Sequence, residues 1–227
     1  MTTISNRLQD ILATIEATKT ASKSPQEVNL LAVSKAQPAS VIREAYTAGQ
    51  HRFAENYLQE ALEKQTELAD LKIEWHFIGP IQSNKTQLIA QHFTWVHSVD
   101  RLKIAQRLSD ARPAGLPPLQ VCIQVNTSNE ESKGGIALHE LAELATAINK
   151  MPYLTLRGLM AIPAPTEDVM LQKMQFKQVR ECYDALITQG FALDTLSIGM
   201  SGDYPAAIEQ GATFVRIGTA LFGARNY

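Results

Sequence analysis

Eight short apolar runs, each followed by a stretch of helical spacing, recur along the 227 residues and limit the fold more than any other feature. The runs fall at 28–34, 52–55, 73–78, 94–98, 119–126, 154–160, 195–198 and 213–217. Helical patterns separate them: Val41, Ile42 and Ala45 after Pro38, then 57–68, 85–92, 102–111, 139–149, 168–188 and 204–209. Pro38 before and Gly49 after the first of these form a start and stop signal, and Gly190 and Gly211 stand where helix C-caps are expected. Strands alternating with helices predict a parallel sheet covered by helices. Eight such units, with no leftover segment of domain size, predict an α/β fold: a single (β/α)8 TIM barrel. Ile4, Leu8, Ile11, Leu12 and Ile15 add an amphipathic N-terminal helix over 4–22. The expectation is one domain over 1–227, with 1–27 as the N-terminal helix and lead-in. A doubly wound open sheet is the competing arrangement, but its GxGxxG fingerprint is absent.

Composition narrows the partners. A hydrophobic share of 45%, a charged share of 19% and a formal charge of -2 argue for small-molecule chemistry and against nucleic acid or an anionic membrane surface. Cys122 and Cys182 form no CxxC and read as free thiols of a reducing compartment. Asp10 and Glu16 sit in a polar N-terminal segment, unlike a signal or transit peptide. No apolar run approaches the roughly 18 residues of a membrane span. A cytoplasmic location is therefore expected. His51, His76, His92, His97 and His139 show no metal-ligand spacing, so no metal site is expected.

Barrels of this kind place their chemistry at the C-terminal ends of the strands, with phosphates often bound after strands seven and eight. Lys35 is expected to end the first strand, and the period of two in Leu31, Val33 and Lys35 aims it into the barrel. Burial disfavours the charged form of a lysine and makes a neutral amine available to an aldehyde. The ordinary alternative is a surface lysine opening the loop before Gln37 and Pro38. Gly199, Ser201, Gly202, Gly218 and Thr219 follow the last two runs, where small residues and hydroxyls suit an anion. Two common βα turns would look similar. Arg216 lies between Val215 and Ile217, a costly place for a permanent cation unless a ligand or an acid such as Glu55 meets it. One amine and one phosphate cradle on the same face suit pyridoxal 5'-phosphate (PLP).

The segments VSK, FAENYLQE, WHFIGPIQSNK, VNTSNEESKGG, RGLMAIP and SIGMSGDYPAAIEQGATFVRIGTALFG resemble those of the YggS/PROSC family of PLP homeostasis proteins, from about residue 29 onward. That family in turn resembles the barrel half of alanine racemase. The resemblance implies that Lys35 carries PLP as a Schiff base, that Asn56, Met160, Ser201, Arg216, Gly218 and Thr219 line the pocket, and that Ser201, Gly218 and Thr219 meet the phosphate. It matches Lys133 to a second lysine involved in cofactor handling. Gly202 departs from the family pattern, where a larger or acidic residue is found.

An arginine at the ring nitrogen cannot accept its proton and leaves a weak electron sink, which disfavours long-lived carbanion chemistry. The expected function is therefore a PLP-holding protein of intracellular cofactor homeostasis rather than an enzyme. It is expected to be a monomer, with apo forms of PLP-dependent enzymes as candidate recipients. The alternative is a barrel-only PLP-dependent amino-acid racemase, which needs an acid opposite Lys35; Tyr57 and His76 are the candidates. A lysine-dependent aldolase would explain Lys35 but not Arg216.

Overall fold

Every barrel strand lies parallel to its neighbours, so each connection must return across the outside of the sheet, and helices make those returns. The structure, a computed structural model, describes residues 3–23, 25–127 and 134–223. Lys133 lies outside the described residues. The strands are β1 Asn29–Val33, β2 Arg52–Glu55, β3 Glu74–Phe77, β4 Trp95–Val99, β5 Leu119–Asn126, β6 Ile136–Ala137, β7 Leu154–Ala161, β8 Thr195–Met200 and β9 Phe214–Ile217. Their order is β4-β3-β2-β1-β9-β8-β7-β5, and pairing of β4 with β5 closes the barrel. The eight closing strands are the eight predicted runs. The two-residue β6, paired with β5 at Val125 and Asn126, was not foreseen.

The helices are α1 Ile4–Ser22, α2 Ala39–Thr47, α3 Leu58–Glu67, α4 Thr86–His92, α5 Leu102–Ala111, α6 Leu141–Ile148, α7 Val169–Thr188, α8 Tyr204–Glu209 and α9 Thr219–Phe222. The short α9 was not foreseen either. Thr3 caps α1 by accepting from Asn6 N at 3.2 Å, and Asp168 caps α7 by accepting from Met170 N at 2.8 Å. The additional helix α1 packs on α2, α8 and α9 through Ile4, Leu8, Ile11 and Ile15. Leu12, expected on that stripe, is 37% exposed. In α7 the buried face is Gln172, Phe176, Val179, Tyr183 and Leu186, and Met170 and Met174 face outward. Among the described residues no helix is long and apolar enough to cross a membrane.

The period of two divides the core into two layers. Leu30, Ala32 and Phe53 point outward into the large cluster beneath the helices. Leu31, Ala54, Trp95, Cys122, Met160 and Phe214 point inward and fill the barrel, with Val33 and Ile78 against them. His76, His97, Ser197 and Arg216 are buried as well. Gly158 marks a tight approach of two strands, since a Cβ there would stand 1.7 Å from Thr195 O. Gly158→Ala is expected to lose at least ~2 kcal/mol of stability by forcing β7 from β8, measured as a lower urea midpoint with unchanged slope.

Candidate functional site

The C-terminal mouth of the barrel encloses a cavity of about 250 Å³. All seven residues expected to line a pocket do so: Lys35, Asn56, Met160, Ser201, Arg216, Gly218 and Thr219. Val33, Ile78 and Ile162 add apolar wall.

Lys35 is half-buried in the turn two residues beyond β1, rather than at the strand's last position. Both of its chain neighbours are tied to one buried charge cluster. Before it, Ser34 Oγ donates to Glu55 Oε1 at 2.6 Å and Ser34 O accepts from Lys64 Nζ at 2.8 Å. After it, Ala36 N donates to Glu60 Oε1 at 2.6 Å, with Ala36 in the left-handed region at φ 58°. Lys64 Nζ donates to Glu55 Oε1 at 2.8 Å and to Glu60 Oε1 as well, so one ammonium holds both carboxylates together. Glu55 is fully buried, and burial pushes its carboxyl above the usual range against the pull of Lys64. Glu55 is thus the partner of Lys64 and Ser34, not of Arg216, so the cross-barrel salt bridge weighed from the sequence does not form.

Arg216, 3% exposed, forms the cavity floor. Its guanidinium donates to Ser197 O, to Ser197 Oγ at 3.0 Å and to Ala161 O at 2.8 Å. Burial lowers it to about 10, so it remains a cation at neutral pH. Carbonyls and a hydroxyl, rather than a carboxylate, take its N–H groups.

The two glycine-rich turns are stitched together, because Ser201 Oγ, in the β8 turn, accepts from Ala220 N in α9 at 3.3 Å. Gly218 begins α9, and Asp203 Oδ1 accepts from Met200 N at 2.6 Å to hold the first turn. At the opposite wall the buried Asn56 Oδ1 has no hydrogen-bond partner. Such an atom costs roughly 1–3 kcal/mol unless a ligand completes it. Gly79 packs on Asn56, as a Cβ there would stand 2.1 Å from Asn56 O. Around Gly202 a Cβ would meet nothing within 4 Å, so a larger residue would fit there.

The two candidate acids do not join this lining. Tyr57 is 56% exposed at the start of α3, and His76 is buried inside β3, below the cavity. Cys122 lies inside the barrel, where burial raises its thiol well above the ordinary value. Among the described residues no group of three or more His, Cys, Asp or Glu side chains could hold a metal ion. Sequence reading missed Lys64, whose i,i+4 spacing to Glu60 looks like a surface pair, and His97 and Ser197 beneath Arg216. Only the period of two, placing Ser197 on the same face as Thr195, marks the last of these.

Fold and lining define a lysine-bearing (β/α)8 barrel with paired small-residue turns and an arginine floor. The alanine racemase N-terminal domain family matches residues 7–226. A "Pyridoxal phosphate homeostasis protein" of Pseudomonas aeruginosa is 60% identical, covering 100% of this chain and 98% of that protein. One of the same name from Escherichia coli K12 is 52% identical over 100% of this chain and 99% of that protein. The structure of PipY from Synechococcus elongatus with PLP bound superposes with a TM-score of 0.86 at 37% identity, covering 97% of this chain and 100% of that one. The chain belongs to the alanine racemase N-terminal domain family and, within it, to the PLP homeostasis proteins of the YggS/PROSC type.

Lys64→Met leaves Glu55 buried without its counter-charge, which is expected to cost about 3–5 kcal/mol at neutral pH. The raised pKa of Glu55 means that the folded state holds the proton more tightly. Its contribution is fully present below the ordinary carboxylate range and is lost as pH rises through the raised value. The variant raises Glu55 further, so its deficit in urea midpoint against the parent should narrow between about pH 8 and about pH 5. A constant deficit would show that Glu55 is not the group left exposed to the loss.

Proposed function

We propose that this protein holds PLP in the mouth of the barrel as a reversible covalent adduct and serves cofactor homeostasis rather than turnover. Lys35 Nζ condenses with the aldehyde carbon, forming a C=N bond and releasing one water. Ser201, Gly218 and Thr219 receive the phosphate, Asn56 Oδ1 accepts from the ligand, Met160 packs on the ring, and Arg216 faces the ring nitrogen. When bound, PLP supplies an aldehyde for capture and an electron sink whose strength depends on its ring proton. Arg216, a cation held by protein carbonyls, cannot take up that proton, which favours holding over carbanion chemistry.

The observation that carries the reading is the convergence of an amine, a guanidinium, an unpartnered amide oxygen and two stitched turns on one cavity of about 250 Å³. The relatives' names and the PLP in the PipY structure support it. A racemase needs an acid opposite Lys35, and neither Tyr57 nor His76 lines the cavity. The reading extends to a single-domain monomer of the cytoplasm that passes PLP to apo-enzymes, with Lys133 assisting release by exchange.

Adding PLP to the purified protein is expected to give a visible band. Borohydride should fix a phosphopyridoxyl group on Lys35, found by peptide mass mapping and lost in Lys35→Ala. A band with no adduct at Lys35 would move the site, and no band would remove PLP altogether. Transfer is expected to reactivate an apo-enzyme faster than free PLP does; equal rates would leave storage without carriage.

A further inference from the structure

Beneath the cavity the barrel holds a continuous polar file where aliphatic packing would suffice. Arg216 Nη1 reaches Ser197 Oγ at 3.0 Å, Ser197 Oγ meets His97 Nδ1 at 2.9 Å, His97 Nε2 meets His76 Nδ1 at 2.9 Å, and His76 Nε2 meets Glu74 Oε1 at 2.9 Å. Ser197, His97 and His76 are buried, so both imidazoles are disfavoured as cations. Glu74 opens onto a second cavity of about 600 Å³ at the other mouth, beside Arg52, Arg157 and Asp194. The file therefore runs from one end of the barrel interior to the other.

Its direction follows from donor and acceptor bookkeeping. The Arg216 guanidinium only donates, so Ser197 Oγ accepts from it and has its own proton to give. That proton goes to His97 Nδ1, which places the His97 proton on Nε2. His97 Nε2–H donates to His76 Nδ1, and His76 Nε2–H donates to the Glu74 carboxylate. Every bond points the same way and every ring nitrogen is satisfied. The reverse order would need a protonated Glu74, but its hydrogen bond to His76 and its charge partners hold that carboxyl below the usual range. It would also leave the Ser197 proton without one of these partners. Trp95 stacks on His76 at 5.4 Å and 9°, and Phe214 meets both imidazoles edge-on, fixing the rings. The charged or titratable groups around the file are Arg52 on Glu74 at 3.1 Å, Arg157 over Trp95 at 4.9 Å, Glu27 and Asp194 at the far mouth, Cys122 inside the barrel, and Asp203 and Lys35 on the side of Arg216.

We propose that Glu74, His76, His97 and Ser197 form a one-way hydrogen-bond relay that positions and polarises Arg216, so that a carboxylate at the far mouth of the barrel sets how Arg216 meets its ligand. These four are positioning residues, and the ligand half of the inference rests on PLP as the occupant. The relay makes Glu74 and Arg216 an ion pair extended through three neutral side chains. Loss of the carboxylate weakens the pull on each proton in turn, and loss of the Ser197 hydroxyl disconnects Arg216 from the imidazoles and the carboxylate while leaving its bonds to the Ser197 and Ala161 carbonyls.

Nitrogen-15 NMR of the histidine side chains, on the full chain without PLP, tests the relay directly, with His76→Phe and His97→Phe as assignment variants. Both rings should be neutral with the proton on Nε2 across the range in which an exposed histidine titrates, and Glu74→Gln should shift the His97 signals as well as those of His76. An Nδ1–H form or an imidazolium at either ring would overturn it. The coupling to the cavity is read by PLP titration of Glu74→Gln, Ser197→Ala and the double variant. Glu74→Gln is expected to change the PLP Kd about threefold or more in the parent and less than about 1.5-fold in Ser197→Ala, where distant independent sites would simply add. Additive effects would sink the coupling while leaving PLP binding intact. Failure of the parent to bind PLP would sink the reading of the occupant, and the NMR result would then decide the relay by itself.

Discussion

A guanidinium buried at the centre of a parallel barrel cannot shed its charge and must have its N–H groups met. Arg216 imposes that condition here, and much of the interior answers it. Ser197 on β8 and Ala161 at the end of β7 supply carbonyls, and the Ser197 hydroxyl leads on to two imidazoles and a carboxylate. The strands that face Arg216 are therefore held in place by polar bonds as well as by the inward layer of Leu31, Ala54, Trp95 and Phe214. The floor of the cavity is a consequence of how the barrel solves the burial of one charge.

The rim is organised by a second buried charge of a different kind. Lys64 reaches from α3 to the carbonyl of Ser34 and to two carboxylates, and these carboxylates bind both residues flanking Lys35. The chain around the amine is fixed while the amine itself belongs to the cavity. Lys35 and Arg216 thus face one space, and no carboxylate lines it among the described residues. A guanidinium and an amine facing one space suit an anionic occupant, which can accept hydrogen bonds from both.

The barrel was legible because its two periods were strong. Alternation put Leu31 and Val33 inside and Leu30 and Ala32 outside, and that same alternation carried Lys35 to the cavity. Elements too short to show a period, the two-residue β6 and the four-residue α9, left no trace. Helix faces were less sharply drawn. Leu12 was assigned to a buried stripe that the packing gives to its neighbours, and in α7 Met170 and Met174 face outward among residues of helical spacing. At the site, Arg216 announced itself by its apolar flanks, but its partners did not, because carbonyl acceptors carry no sequence mark. Lys64 was hidden by its resemblance to a solvated pair with Glu60, and its burial depends on strands far away in the chain.

The stitch between Ser201 and Ala220 has a mechanical consequence. It joins the turn after β8 to the first turn of α9, so the two halves of the cradle form a single lip rather than two independent flaps. Next to it, Gly202 is exposed and has empty space where a side chain would begin. Bulk added at Gly202 would therefore enter the lip without replacing a residue of the floor or the amine.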